Sequence, residues 1–505
     1  MGISPERKDF IMNNTAEARI KALKAAAESM SAAELQDKIE ALTNERIAEI
    51  KATKTEIEVK GQSYYVSAEG CDDNDGKTPQ TPWQSIAKVN AASEGILKAG
   101  DAVFFRRGDL FRGSVQTAAG VTYSAYGEGE KPMIYVWDKN SASPDLWKKT
   151  DVEGVWEYAE VYDIDIGAII FDDRTYARKV YQSNEEDGRW LDFRAKREFH
   201  DYHDLVDDMS FWHSSQNSQG EEKTGKLYLR CNAGNPGEIY SDIEMNKKIS
   251  GIRIGGDGIH IDNLCIAHAG VHGIASGKRD GLLVTNCEIK WIGGTIQCPI
   301  RGYGTRSWPT PFGNAVEIYG EARNYTVDNC YIWQAYDAGV THQGPSKCDI
   351  ACENNNYTNN VITDCVYAVE IFYGNAPAGE TFDRYFKSTH VENNILRRGG
   401  GFGHDARPDE GVTALIRNGG IMDNTTDYTV TNNIFDRSRE KIVQASNDGG
   451  SKAQYYDNLF VQVKGGKYVT RCGKDYRYDE DVAKNISETN TETNSTYIFV
   501  DELGY

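Results

Sequence analysis

The line "NYTVDNCYIWQAYDAGVTHQG", residues 324–344, decides the fold because the chain writes it more than once. Its first half overlays on "IHIDNLCI" (259–266), "LLVTNCEI" (282–289), "YTNNVI" (357–362), "HVENNIL" (390–396), "YTVTNNIF" (428–435) and "YYDNLF" (455–460). The shared asparagines are Asn263, Asn286, Asn329, Asn359, Asn393 and Asn432, with Asp457 in the last slot, at intervals of 23, 43, 30, 34, 39 and 25 residues. A floor near 23 with variable additions describes a coil of fixed turn length that lets out loops at a corner. About ten residues after its Asn, each copy runs into a second short strand: "GVHGIAS", "NAVEIYG", "DAGVTHQG", "YAVEIFYG", "VTALIRN", "KIVQAS". No helical period intervenes. The pattern predicts an all-β chain coiled as a right-handed parallel β-helix, its rungs stacked ~4.8 Å apart. An Asn at a fixed corner would bond its counterpart in the next rung.

Composition agrees with many short strands. Among 505 residues there are 49 Gly and 29 Tyr against 12 Pro. A formal charge of −20, from 56 Lys and Arg against 76 Asp and Glu, disfavours nucleic acid, anionic membranes and polyanionic substrates. The start has charges where a secretory leader needs an apolar run, and no stretch approaches 18 apolar residues, so the expectation is a cytoplasmic protein without membrane contact. Ten cysteines spread over this length read as reduced apolar fillers. Cys348 and Cys352 of "CDIAC" lack further ligands at metal spacing, so neither metal nor cofactor is expected.

The domain layout follows. Residues 1–14 read as a flexible lead. Residues 15–56 read as a helical hairpin: Ile20, Leu23, Ala27 and Met30 fall at helical spacing, and "SAAE" (31–34) is a capping box that starts a second helix. Its apolar stripe is expected to cover the coil, or else to join two copies as a homo-oligomer. Residues 62–505 form the coil, with an irregular β insertion at about 155–245, regular rungs at 250–470 and a C-terminal cap at 473–505.

The entry segment "YYVSAEGCDDNDGKTPQTPWQSIAKVNA…LKAGDAVFFRRGDLFRG" and the repeats "IDNLCI…GVHGI" and "VDNCYIWQAYDAGV" resemble the pectin-lyase-like superfamily of right-handed parallel β-helices, in particular its carbohydrate-active glycoside hydrolases. The resemblance spans most of residues 62–470 and implies the fold more strongly than the activity, because glycoside hydrolases, lyases, esterases, epimerases and tailspikes share it.

Strand alternation then points to chemistry. With Val316, Ile318, Val369 and Ile371 inward, Glu317 and Glu370 face out. In the rung between them, Ala338 and Val340 inward would leave Asp337, Gly339 and Thr341 outward, with Gly339 as a gap between the two glutamates. Glycoside hydrolysis needs one carboxyl to protonate the leaving oxygen and another to activate water or attack carbon. Glu370, followed by Phe372 and Tyr373, is the expected proton donor, with Asp337 or Glu317 as base or nucleophile. The wider pair fits inversion and the closer pair retention. Long loops beside these strands bring Tyr303, Trp308, Phe402, His404, Asp405 and Arg407, which with His342 and Tyr373 are the candidate binders of an oligosaccharide. The expected activity is hydrolysis of neutral or weakly charged oligosaccharides. A lyase or epimerase drawing on Arg397, Arg398, Arg407, Arg417 or Lys441, and a non-catalytic glycan-binding coil, are the rivals.

Overall fold

The computed structural model describes residues 15–215, 223–301, 307–345, 347–373, 379–407, 412–419, 425–445, 453–471, 473–477, 481 and 492–505. Three long parallel sheets wind through it as a parallel β-helix. The first runs from Ser63–Val66 to Glu492–Thr493, and the third from Leu110–Arg112 to Thr496–Val500. The second carries the site. Its strands, in both chain and spatial order, are β1 (Val115–Gln116), β2 (Ile252–Arg253), β3 (Ile274–Ser276), β4 (Val316–Tyr319), β5 (Ala338–Gly344), β6 (Tyr367–Tyr373), β7 (Ala414–Gly419), β8 (Lys441–Ala445), β9 (Lys467–Arg471) and β10 (Lys474–Tyr476). All pair in parallel except β9 with β10.

The core is a set of side-chain columns inside the coil. Ile274, Val316, Val340, Val369, Ile416, Val443 and Val469 stack in register, all buried. Branched residues suit this position because their restricted χ1 matches the pleat, and each buried side chain contributes about 1.5–3 kcal/mol.

The shared asparagines form the corner between the first and third sheets. Asn263, Asn286, Asn329, Asn359, Asn393, Asn432 and Asp457 all take a left-handed backbone, φ between 52° and 59°. Asn and Asp accept this conformation more readily than other residues with a Cβ. Asn329 donates to Asn286 (2.7 Å) and Asn432 to Asn393 (2.8 Å), while Asn359 turns to the Asp328 carboxylate (2.7 Å). A second ladder lies one residue further on, inside the coil. The Asn360 backbone N–H donates to Asn394 Oδ1 (2.9 Å), that of Asn394 to Asn433 Oδ1 (2.9 Å), and that of Asn433 to Asn458 Oδ1 (3.0 Å). These four side chains are buried, and their amides cap carbonyls that the turn leaves unpaired. In earlier rungs the same inner slot holds Leu264, Cys287 and Cys330.

Helix α1 (Ala16–Ala27) starts at Thr15, and α2 (Ala32–Ala52) at Ser31, whose hydroxyl accepts from the Glu34 N–H. Their stripe of Ile20, Leu23, Leu35, Ile39, Leu42 and Ile50 packs on the outer face of the third sheet, against Tyr331, Val361, Ile395, Ile434 and Leu459. The apolar face that self-association would have needed is therefore occupied within the chain. Arg46 reaches Asn329 (2.7 Å), and Glu40 pairs with the buried Arg397 (2.8 Å).

Between the third-sheet strand Met133–Tyr135 and β2 the chain leaves the coil to build a seven-stranded sheet whose strands run from Trp147–Lys149 to Ile243–Lys247. Ala168, Ile170 and Tyr181 of this insertion dock on Trp291, Ile296, Tyr336 and Phe402. The buried Asp165 ties the joint by accepting from Lys179 (2.7 Å) and from the Ile296 N–H (2.7 Å).

Candidate active site

Outward residues of the second sheet form columns. Glu317, Thr341, Glu370 and Arg417 share one, on β4 to β7. Tyr319, Gln343 and Phe372 share the next. Ala338 and Tyr367 share a third, three residues before the first rather than two. The extra residue turns inward: a Cβ on Gly339 would lie 2.5 Å from Ile362 Cγ2, inside the coil. Gly339 is thus not an outward gap. Thr341 occupies the place between the two glutamates, which stand two rungs, or ~9–10 Å, apart along the sheet.

A cavity of about 340 Å³ opens over these columns. Glu317, Asp337, Glu370, Arg407 and Arg417 supply its charge, and His272, Phe312, Tyr319, Tyr367 and Phe372 its aromatic surface. One wall is the hairpin Thr295–Arg301 with Trp308–Phe312, through Gln297 and Thr310.

The two glutamates sit in opposite environments. Glu370 is 1 % exposed. Its oxygens accept from Arg417 (2.6 Å) and Gln343 (2.6 Å), with the Thr341 hydroxyl at 3.3 Å. Burial raises its pKa above the ordinary glutamate value; Arg417 opposes the rise and the Asp337 charge adds to it. At Glu317 burial also works upward, but the hydrogen bonds from the His272 imidazole and the Asn314 amide outweigh it, so this carboxyl is held below its ordinary value. His272 Nε2 lies 2.7 Å and Asn314 Nδ2 2.8 Å from the same oxygen, Glu317 Oε2. The Asn314 backbone N–H donates to His272 Nδ1 (3.1 Å), which leaves the imidazole proton on Nε2, facing the glutamate. Asp337 accepts from Arg407 (2.7 Å), whose guanidinium lies over the Tyr336 ring. Arg417 lies between Tyr367 and Phe372, at 5.0 and 4.5 Å from the ring centroids.

Of the residues singled out from sequence, Glu317, Asp337, Glu370 and Arg407 meet in this cavity. His342 does not. It pairs with Ile318 and Ile371, points into the coil against Tyr325 and Phe386, and hydrogen-bonds Tyr357. Burial drives its pKa down to about 3. Tyr373 also points inward, donating to the Gly320 carbonyl (3.0 Å). Phe402 is buried beneath the insertion, beside Tyr176 and Trp291. His404 bonds Thr413 (2.8 Å), and burial lowers its pKa to about 4. Asp405 holds Tyr176 of the insertion and Arg439, and neither His404 nor Asp405 lines the cavity. Trp308 packs on Phe193 of the insertion. Tyr303 lies outside the described residues.

His272, Asn314 and Gln343 were missed as site residues, and Arg417 was considered only for the rival lyase or epimerase reading. Arg417 was legible in outline, since "VTALIRN" places it in the slot that holds Glu in "NAVEIYG" and "YAVEIFYG". His272 had no such signal: it leads the strand from the corner, where alternation says nothing about direction.

Neither a protein-family model nor a curated protein matches the chain. Among solved structures it is similar to the complex of XylC with xylose, at 13% identity over 81% of this chain and 72% of that one, TM-score 0.44. It is also similar to the GH136 lacto-N-biosidase from Eubacterium ramulus, at 12% identity over 93% and 71%, TM-score 0.34. A third is pectate lyase Pel9A, at 13% identity over 83% and 79%, TM-score 0.32. The parallel β-helix itself is carried by the three sheets described above.

Proposed function

We propose that the protein is a carbohydrate-active enzyme, a glycoside hydrolase that inverts the anomeric centre, with Glu370 as general acid and Glu317 as general base. The supporting observation is one pair of carboxyls on one outward column, two rungs apart, whose surroundings push their pKa values in opposite directions. Acid and base roles follow from such a split, and a gap of ~6.5–9.5 Å between carboxyls leaves room for the attacking water. Glu317 Oε2 is taken by His272 and Asn314, so Oε1 is the atom available to a water. Glu370, dry and near the Asp337 charge, keeps a proton to a higher pH and passes it to the leaving oxygen. Water would attack the opposite face of the sugar ring, and Thr341 between the two glutamates is small enough to admit it. Asp337, held by Arg407, orients that arginine and biases Glu370 toward its acid form. Each cavity arginine already faces a carboxylate, which favours neutral or weakly charged oligosaccharides over polyuronates.

The test is the anomeric configuration of the first product, followed by NMR on a panel of neutral oligosaccharides. Inversion is expected. Retention would assign Asp337 to nucleophilic attack instead. Arg407 and Arg417 within the cavity favour a second reading, elimination from a uronate-containing glycan, and a 4,5-unsaturated product would establish it in place of hydrolysis.

A further inference from the structure

Two buried cations away from the catalytic cavity have no carboxylate partner among the described residues. Lys131 is 3 % and Arg107 5 % exposed. Both donate to one neutral acceptor, Asn263 Oδ1, Lys131 at 2.8 Å and Arg107 at 2.9 Å. Arg107 has further bonds to the Thr53 and Gly129 carbonyls, which are neutral as well. The nearby Asp262 carboxylate is engaged by Ser124, Thr285 and Asn286 instead. Burial weakens the hold of both cations on their protons, and the Asp262 charge offsets this only in part.

Lys131 lines a second cavity, of about 280 Å³, where the end of α2, the third sheet and the insertion meet. The other charges of this cavity are largely matched. Lys290 pairs with Asp173 (2.5 Å) and Lys51 with Glu288 (3.1 Å), while Glu130 is exposed at the rim. The Lys131 ammonium is therefore the charge that the lining leaves unanswered, with Arg107 behind it adding to the local potential.

We propose that this junction cavity binds a small oxyanion, a phosphoryl or carboxylate group, through Lys131. A buried cation gains most from an anion that arrives partly desolvated, because in low dielectric their attraction is strong. The volume exceeds that of a bare oxyanion and admits one borne on a body of monosaccharide size. Because α2 and the insertion both border the cavity, an occupant would bind the folded junction and not the unfolded chain, and so stabilise it by mass action.

The experiment is thermal unfolding of the full chain titrated with inorganic phosphate and, separately, with citrate, each against sodium chloride of equal ionic strength. A saturable rise in melting temperature with either oxyanion, absent in Lys131→Met, is the expected result, and the stronger of the two identifies the phosphoryl or the carboxylate source. Without added anion, Lys131→Met should melt at or above the wild type, since it removes an uncompensated charge at similar volume. No rise beyond chloride, or an equal rise in the variant, overturns the proposal. If Lys131→Met fails to fold, ³¹P line broadening of phosphate by the wild type, reversed by excess citrate but not by chloride, decides it; unbroadened lines together with a flat citrate melting titration count against the site.

Discussion

The second and third sheets of the coil are alike inside and opposed outside. Both stack apolar columns inward in register, aliphatic throughout in the second sheet and passing from Leu396 to Phe435 and Phe460 in the third. Outward, the third sheet shows Tyr331, Val361, Ile395, Ile434 and Leu459 and is roofed by two helices, whereas the second shows Glu317, Thr341, Glu370 and Arg417 and stays open as a cavity. The inward half of the alternation specifies the coil, and the outward half specifies what each face is for. A face of neutral aliphatics must be covered. A face of buried charges persists only where those charges are paired, as they are around Glu370 and Glu317.

This contrast can be broken from either side. The largest effect is expected on the open face: Glu370→Gln keeps shape but removes the transferable proton, so turnover should fall about 10²- to 10⁴-fold, with substrate binding retained in titration. Glu317→Gln should lose activity comparably. In the wild type the Glu370 proton sets the alkaline limb of the rate profile above the ordinary glutamate range, and Glu317 sets the acid limb below it. On the covered face, Ile39→Ala opens a void between α2 and the sheet and should cost about 2–5 kcal/mol in denaturant unfolding. Its turnover per folded molecule should match the wild type; a drop would mean that the two faces are coupled.

Inside the coil, His342 links stability to pH. Its folded pKa, about 3, lies below the unfolded value of about 6.5. The neutral form is the one the fold accepts, so its contribution is complete above pH 6.5 and is lost as pH falls toward 3. Between pH 7 and 5 the wild type should lose ~2 kcal/mol more than His342→Phe, measured by urea unfolding at each pH. The smallest effect belongs to the corner. Asn359→Ala at φ +57° should cost about 1–2 kcal/mol, and Asn359→Gly less.

The coil was legible because its signal repeats. Seven copies of one line, six with an Asn and one with an Asp where the backbone turns left-handed, outweigh any single ambiguous strand. The three carboxylates were legible as outward residues for the same reason, and so was the two-rung spacing of the glutamates, yet the residue between them was not. One residue in each rung, Gly339 in β5 and Ala368 in β6, adds a second inward step at the corner, and this moved Thr341 into the slot assigned to Gly339. The same alternation that places Thr341 outward places His342 inward, so the histidine was misread for its chemistry against its position. The partners of Glu317 were beyond reach, since His272 comes from the preceding rung and its ring is aimed by the Asn314 backbone N–H, a contact that no spacing within one line encodes.

The inner ladder from Asn360 to Asn458 has a consequence for how such a chain can change length. Each amide offers the same acceptor to the rung before it and takes the same acceptor from the rung after it, so every step is interchangeable with the next. A rung duplicated or deleted between Asn433 and Asn458, beyond the strand that carries Arg417, would still find its partners, and the coil could grow or shrink there as a row of identical tiles. The stretch holding His272, Asn314, Glu317 and Glu370 has no such freedom, because each of its contacts names a particular neighbour. The expectation is therefore that duplication is tolerated beyond β7 and disrupts the cavity before it, so the distal end is where relatives of this chain should differ in length.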